Sequence, residues 1–105
     1  MSRMLIVTKG AEADILDGYL FYENLSYEAM QEGMGRRFID EIERAFDRVL
    51  ANPFLYQEVE IDIRRAVTHT FAYLVFYTFD EQTVQILAVI HGAQDPAYIN
   101  KRLGA

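Results

Sequence analysis

Residues Ala72–Phe79 (AYLVFYTF) are apolar at nearly every position, and this run limits the fold more than any other stretch of the chain. Ala72, Leu74 and Phe76 would line one face of a strand, and Tyr73, Val75, Tyr77 and Phe79 the other. A strand without a polar face needs cover on both sides, which places it in the middle of a sheet. Thr83–His91 (TVQILAVIH) follows the same plan. Strict alternation puts Val84, Ile86, Ala88 and Ile90 on one face and Gln85, Leu87, Val89 and His91 on the other. Asp80-Glu81-Gln82 is the hairpin turn between them.

The cover comes from the N-terminal half. Met4–Thr8 reads as a short strand, and Ala11–Glu23 carries Ile15, Leu16, Tyr19, Leu20 and Tyr22 at helical spacing. Asn24-Leu25-Ser26 reads as a break, with Ser26 the N-cap of the next helix and Leu25 stapled to Met30. In that helix Phe38, Ile42, Ala45, Phe46, Val49 and Leu50 make one stripe, which Asn52-Pro53 stops. Gly33 and Gly35 weaken its first turns, so it is secure from about Met34 onward. Phe54–Asp62 has no period and reads as a connector; Ile63–Thr70 is a strand, and Ala97–Leu103 a short helix or tail. The expected fold is α+β: an N-terminal strand and an antiparallel helical hairpin packed on a mainly antiparallel sheet. Residues 1–105 form a single domain without repeats or linkers. Phe38, Ile42, Phe46, Val49, Leu74, Phe76, Ile86 and Ala88 are expected to be buried together.

Charge and cysteine content narrow the chemistry. The net charge is -6, and all of it lies in residues 1–60, with six Lys/Arg against twelve Asp/Glu; residues 61–105 hold four of each. A free-standing nucleic-acid binder draws its affinity from phosphate neutralisation, so an acidic chain counts against RNA or DNA as main partner. With no Cys, thiolate metal sites, disulfides and Cys nucleophiles are excluded. Two His without metal-ligand spacing give no metal site, and no cofactor motif is present. Gly33-Met34-Gly35 lacks the strand and Lys-Ser/Thr of a phosphate loop. Met4–Val7 is too short for a signal-peptide core, and no window reaches the apolar length of a membrane span. A cytoplasmic protein with no membrane partner is expected.

Few residues are candidates for chemistry. His69 and His91 sit on or at the ends of neighbouring strands, and imidazoles titrate near neutrality. Arg64 and Arg65 are adjacent on one strand and so point to opposite faces. Tyr73 and Tyr77 share a side of the central strand, best read as packed aromatics with hydroxyls at the rim. Lys101 and Arg102 add two cations on the tail.

Taken jointly, the pattern resembles the RelE/ParE superfamily of type II toxin–antitoxin toxins, the ParE branch more than the RelE nuclease branch. The resemblance spans nearly the whole chain. It rests on Arg37-Phe38-Ile39-Asp40-Glu41-Ile42-Glu43-Arg44-Ala45 closing with Arg48 and Asn52-Pro53, on Ile63-Arg64-Arg65, on Phe71-Ala72-Tyr73 leading to Phe76-Tyr77, and on His91 before Asp95-Pro96. Ala72 stands where the family usually has Pro, a small change to the turn. The resemblance implies a plasmid-stabilisation type of toxin, neutralised by a cognate antitoxin and acting by binding DNA gyrase through Arg64, Arg65, Lys101 and Arg102. The antitoxin segment is expected between helices and sheet or at a free sheet edge, and to be less acidic than usual. The alternatives are a RelE-like ribosome-dependent mRNA endoribonuclease, with Arg64, Arg65, His69 and His91 as its catalytic candidates, and a non-toxic member of the fold.

Overall fold

The computed structural model describes residues 2–29 and 32–104. Its elements in chain order are β1 (Met4–Val7), α1 (Lys9–Ala29), α2 (Met34–Ala51), β2 (Glu58–Glu60), β3 (Ile63–Val67), β4 (Tyr73–Phe79), β5 (Thr83–His91) and α3 (Pro96–Arg102). The strands form one open sheet in the order β1-β5-β4-β3-β2. Only β1 pairs in parallel, with β5; the other neighbours are antiparallel. β4 is central, as its two apolar faces demand. The α+β architecture is the one expected from the sequence.

α2 keeps its stripe. Phe38, Ile42, Ala45, Phe46 and Val49 are all buried, and the helix stops at Asn52, whose N–H donates to the Arg48 carbonyl. The helices run antiparallel: Gly18 and Tyr22 of α1 meet Phe38, and Ser26 meets Met34. A Cβ on Gly18 would fall 2.5 Å from the Phe38 ring, so the missing side chain lets the helices close.

The expected break at residues 24–26 is not there. α1 continues to Ala29, with Ser26 inside it. The Ser26 hydroxyl donates to the Tyr22 carbonyl at 2.8 Å and accepts the Met34 N–H at 3.0 Å. Ser26 thus caps the second helix from inside the first rather than as its own N-cap, while Gly33, at φ 81°, makes the entry. The Leu25–Met30 staple falls on Met30, outside the described residues.

β2 lies inside the stretch read as a connector and is held by pairing with β3. In β5, Phe76 pairs with Ala88 but Tyr77 with Ile86, so Leu87 is an extra residue. The bulge resets the alternation. Val84, Ile86 and Val89 face the helices, whereas Ala88 and Ile90 face the opposite side. The core is therefore divided. Phe38, Ile42, Phe46, Val49 and Ile86 share the helix-side cluster with Tyr73, Val75 and Tyr77. Phe76 and Ala88, with Leu74 beside them, belong to a second cluster that Ile99 of α3 and Leu103 just after it partly cover.

β3 ends at Val67 rather than Thr70, because Thr68 and Tyr73 close the loop on themselves. The Thr68 N–H donates to the Tyr73 carbonyl, and the Tyr73 N–H to the Thr68 hydroxyl, both at 2.9 Å. Glu41 of α2 accepts the Thr70 and Phe71 N–H groups at 3.0 and 3.1 Å. Within this loop Ala72 adopts φ 53°. Proline is locked near φ −65°, so the family's usual residue does not fit this turn, and the change at Ala72 is larger than the sequence suggested. Ala72→Pro is expected to lower stability by more than about 1 kcal/mol, whereas Ala72→Gly should raise it by a few tenths. Urea midpoints of the two variants check both signs.

Candidate functional site

The adjacent arginines of β3 part as their alternation requires. Arg64 pairs across from Tyr77 on the helix side, and Arg65 across from Phe76 on the other. The Arg64 Nη1 donates to the Tyr56 carbonyl at 2.6 Å and the Phe54 carbonyl at 3.3 Å. Its guanidinium lies 5.7 Å from the Phe54 and Phe79 ring centroids. Arg65 instead lines a groove of about 320 Å³ between the second cluster and α3, with Val59, Leu74, Phe76, Ile99 and Leu103. Glu60 lines the groove as well, and an apolar floor walled by one cation and one carboxylate suits a polypeptide side chain better than a reacting phosphate.

α3 begins as its sequence dictates: the Asp95 side chain accepts the Ala97 N–H at 2.9 Å, and Pro96 occupies the first turn. Lys101 is exposed on this helix. Arg102 turns inward. Its Nη1 and Nη2 donate to the two carboxylate oxygens of Asp14, both at 2.7 Å, and Nη1 also reaches the Tyr98 hydroxyl at 3.0 Å. These bonds to Asp14 hold the guanidinium charged more firmly than an ordinary arginine. Arg102 therefore ties α3 to α1, and Asp14 is a residue that sequence reasoning missed, since its partner lies 88 positions away.

The two histidines are not brought together. His69 is exposed in the β3–β4 loop. His91 ends β5 with its ring edge-on to Tyr73, 5.2 Å between centroids, and its Nδ1 accepts the Ala93 N–H at 3.0 Å. Among the described residues no hydrogen bond joins the imidazoles to each other or to an arginine, and no group of three or more His, Asp or Glu is placed to hold a metal ion. No described helix is long and apolar enough to cross a membrane.

Tyr73 and Tyr77 are core residues. Burial pushes both phenols up to about 12, and the Tyr77 hydroxyl donates to the Pro53 carbonyl at 2.7 Å. Between pH 10 and 12 the folded chain retains protons that the unfolded chain has lost. This contribution to stability is complete below pH 10 and disappears as pH rises to 12. Denaturation midpoints should therefore fall across that window, and the Tyr77→Phe variant should show a shallower fall.

A helical hairpin packed on one face of a mainly antiparallel sheet is the architecture expected from the sequence. A sequence model of the ParE toxin of the type II toxin–antitoxin system, parDE, matches residues 5–96, and the chain belongs to that family. Among solved structures it is similar to a chain from the chromosomal ParDE toxin–antitoxin system of P. aeruginosa. The TM-score is 0.71 at 16% identity, over 86% of this chain and 96% of the other, a likeness of fold. No curated protein sequence matches this chain.

Proposed function

We propose that this ParE-family toxin is held inactive by a cognate antitoxin and acts by binding DNA gyrase rather than by cutting RNA. The observation that carries this reading is that the arginines and histidines a nuclease would use are not brought to one point. Arg64 and Arg65 occupy opposite sheet faces, and Arg102 is committed to Asp14. Lys101 stands exposed on α3, and neither His is bonded to an arginine among the described residues. A ribonuclease site needs such groups within reach of one scissile phosphate. Capture of a protein needs only complementary surface. On this reading Arg65 beside the α3 groove and Lys101 on α3 face the target, Arg64 lies on the other sheet face, and Arg102 acts through the placement of α3.

α1 supports the antitoxin half of the proposal. It exposes Leu16, Leu20, Phe21 and Tyr27 and carries five acidic residues against Lys9. An antitoxin segment with apolar and basic residues would complement that face, and the outer edges of β1 and β2 remain open to an added strand.

The test is induction of the chain alone and together with its neighbouring small reading frame, scored for SOS response against translation arrest. We expect SOS induction, silenced by the neighbour. Arg65→Ala and Lys101→Ala should weaken toxicity about fivefold each, while His69→Ala and His91→Ala leave it nearly intact. Cut mRNA together with a loss of about 10²–10⁴-fold confined to the His variants would reject the binding reading.

A further inference from the structure

Although the chain is acidic, Arg3 and Arg64 gather at the end of the sheet where β4 meets its hairpin, and Arg48 reaches the adjoining segment through Tyr56. Arg3 precedes β1, Arg48 lies in the last turn of α2 and Arg64 is on β3. The guanidinium carbons of Arg3 and Arg64 both lie over the edge-to-face pair Phe54–Phe79: 5.9 and 5.3 Å from the two centroids for Arg3, 5.7 Å from each for Arg64. The Arg3 Nε donates to the Asp80 carbonyl at 2.6 Å, and the Arg48 Nε donates to the Tyr56 hydroxyl at 3.1 Å. Among the described residues none of the three has a carboxylate partner; the ion pairs are Arg36–Asp40 and Arg102–Asp14. Three carboxylates lie nearby, since Glu58, Asp62 and Asp80 line a pocket together with Arg64 and Phe79. Asp80 is turned back on its own hairpin, accepting the N–H groups of Gln82 and Thr83, which holds it below the usual carboxylate range, and Glu58 accepts the Asp62 N–H.

We infer that this cluster is a docking surface for an acidic polypeptide segment that also carries apolar side chains. Stacking and backbone bonds fix the Arg3 and Arg64 guanidinium planes beforehand, so little of their rotamer freedom remains to be lost on binding, while Arg48 is held by the Tyr56 hydroxyl alone. On Arg3 and Arg48 the Nε is spoken for, which leaves both terminal nitrogens to present a fork to a carboxylate. Beside the fork, Phe54 and Leu55 are 62% and 59% exposed, a shelf for an apolar neighbour of that carboxylate. A nucleic acid would share the anionic chemistry, but a chain of net charge -6 repels a long polyanion while tolerating one short acidic segment. The inference concerns a surface distinct from the α3 groove and does not depend on gyrase being the target.

The experiment follows arginine Nε–Hε NMR signals of the full chain during titration with a short peptide of alternating Glu/Asp and Leu/Trp. The same peptide with Lys for the acids and matched single-stranded and duplex oligonucleotides form the other arms. Shifts should concentrate on Arg3, Arg48 and Arg64, only for the acidic peptide, and weaken with salt. Arg3→Gln, Arg48→Gln and Phe54→Ala should each lower affinity about fivefold; Arg48 is exposed and bonds only a tyrosine hydroxyl, so its loss leaves the fold intact. Shifts centred on α1 or α3, equal binding of the Lys peptide, no binding at all, or preference for an oligonucleotide at these arginines would each overturn the proposal.

Discussion

Truncation of Phe38 to alanine should lower the free energy of unfolding by about 3–5 kcal/mol, the range for emptying a fully buried aromatic site. Phe38 is 0% exposed and sits where both helices meet the sheet. Its ring centroid lies 5.3 Å from Tyr22, 5.9 Å from Phe71 and 4.8 Å from Tyr73. Removing it opens a cavity bounded by elements that hold one another, so collapse is partial. Phe38→Leu should recover most of the loss. Gly18 provides an internal control. A methyl there strikes the Phe38 ring in the parent chain but points into the cavity of the variant. Gly18→Ala should therefore destabilise the parent and partly rescue Phe38→Ala, with coupling of opposite sign to simple additivity. Urea midpoints of the four proteins measure this. A Phe38→Ala cost under about 1 kcal/mol would mean that the helical hairpin does not pack as described.

Phe38 was legible because a helix declares its buried face by period, and the stripe from residue 38 to residue 50 keeps that period without interruption. β4 was legible for a similar reason, having no polar face to present. The bulge at Leu87 was not, since VQILAVIH alternates acceptably in either register and only pairing with β4 decides. Ser26 misled because a serine that caps a helix start and one that bonds back to its own helix look alike in sequence. β2 carries no apolar alternation and exists through its neighbour. For the candidate site, local geometry was readable and distant pairing was not. Alternation placed Arg64 and Arg65 on opposite faces. Nothing in the sequence set Arg3 beside Phe79, or spent Arg102 on Asp14.

That last pair supports the second large effect: Asp14→Ala should destabilise the chain by about 3–5 kcal/mol. β1 ends at Val7, so beyond Ile86 the outer side of β5 has no strand beside it. The bulge leaves the Val89 N–H and the Leu87 carbonyl to find partners elsewhere. The Thr8 hydroxyl donates to the Leu87 carbonyl at 3.3 Å, and the Asp14 carboxylate accepts the Val89 N–H at 3.0 Å. The same carboxylate holds Arg102 through both its oxygens, with side chains 11% and 23% exposed. One substitution thus strands a partly buried N–H and a partly buried cation, either of which is costly without its partner. Asp14→Asn keeps an acceptor for Val89 and loses only the charge, so its cost should be smaller. Arg102→Met removes the cation itself and should cost less than Asp14→Ala, while loosening Ile99 and Leu103 from the second cluster. The Asp14→Ala/Arg102→Met double variant should then be more stable than the sum of the single losses. Amide exchange at Val89 and in α3 separates the two roles: Asp14→Ala exposes both, and Arg102→Met exposes α3 alone. If Asp14→Ala changes stability by less than about 1 kcal/mol, with Val89 still protected, the carboxylate is an exposed ion-pair partner and the bulged strand has another support.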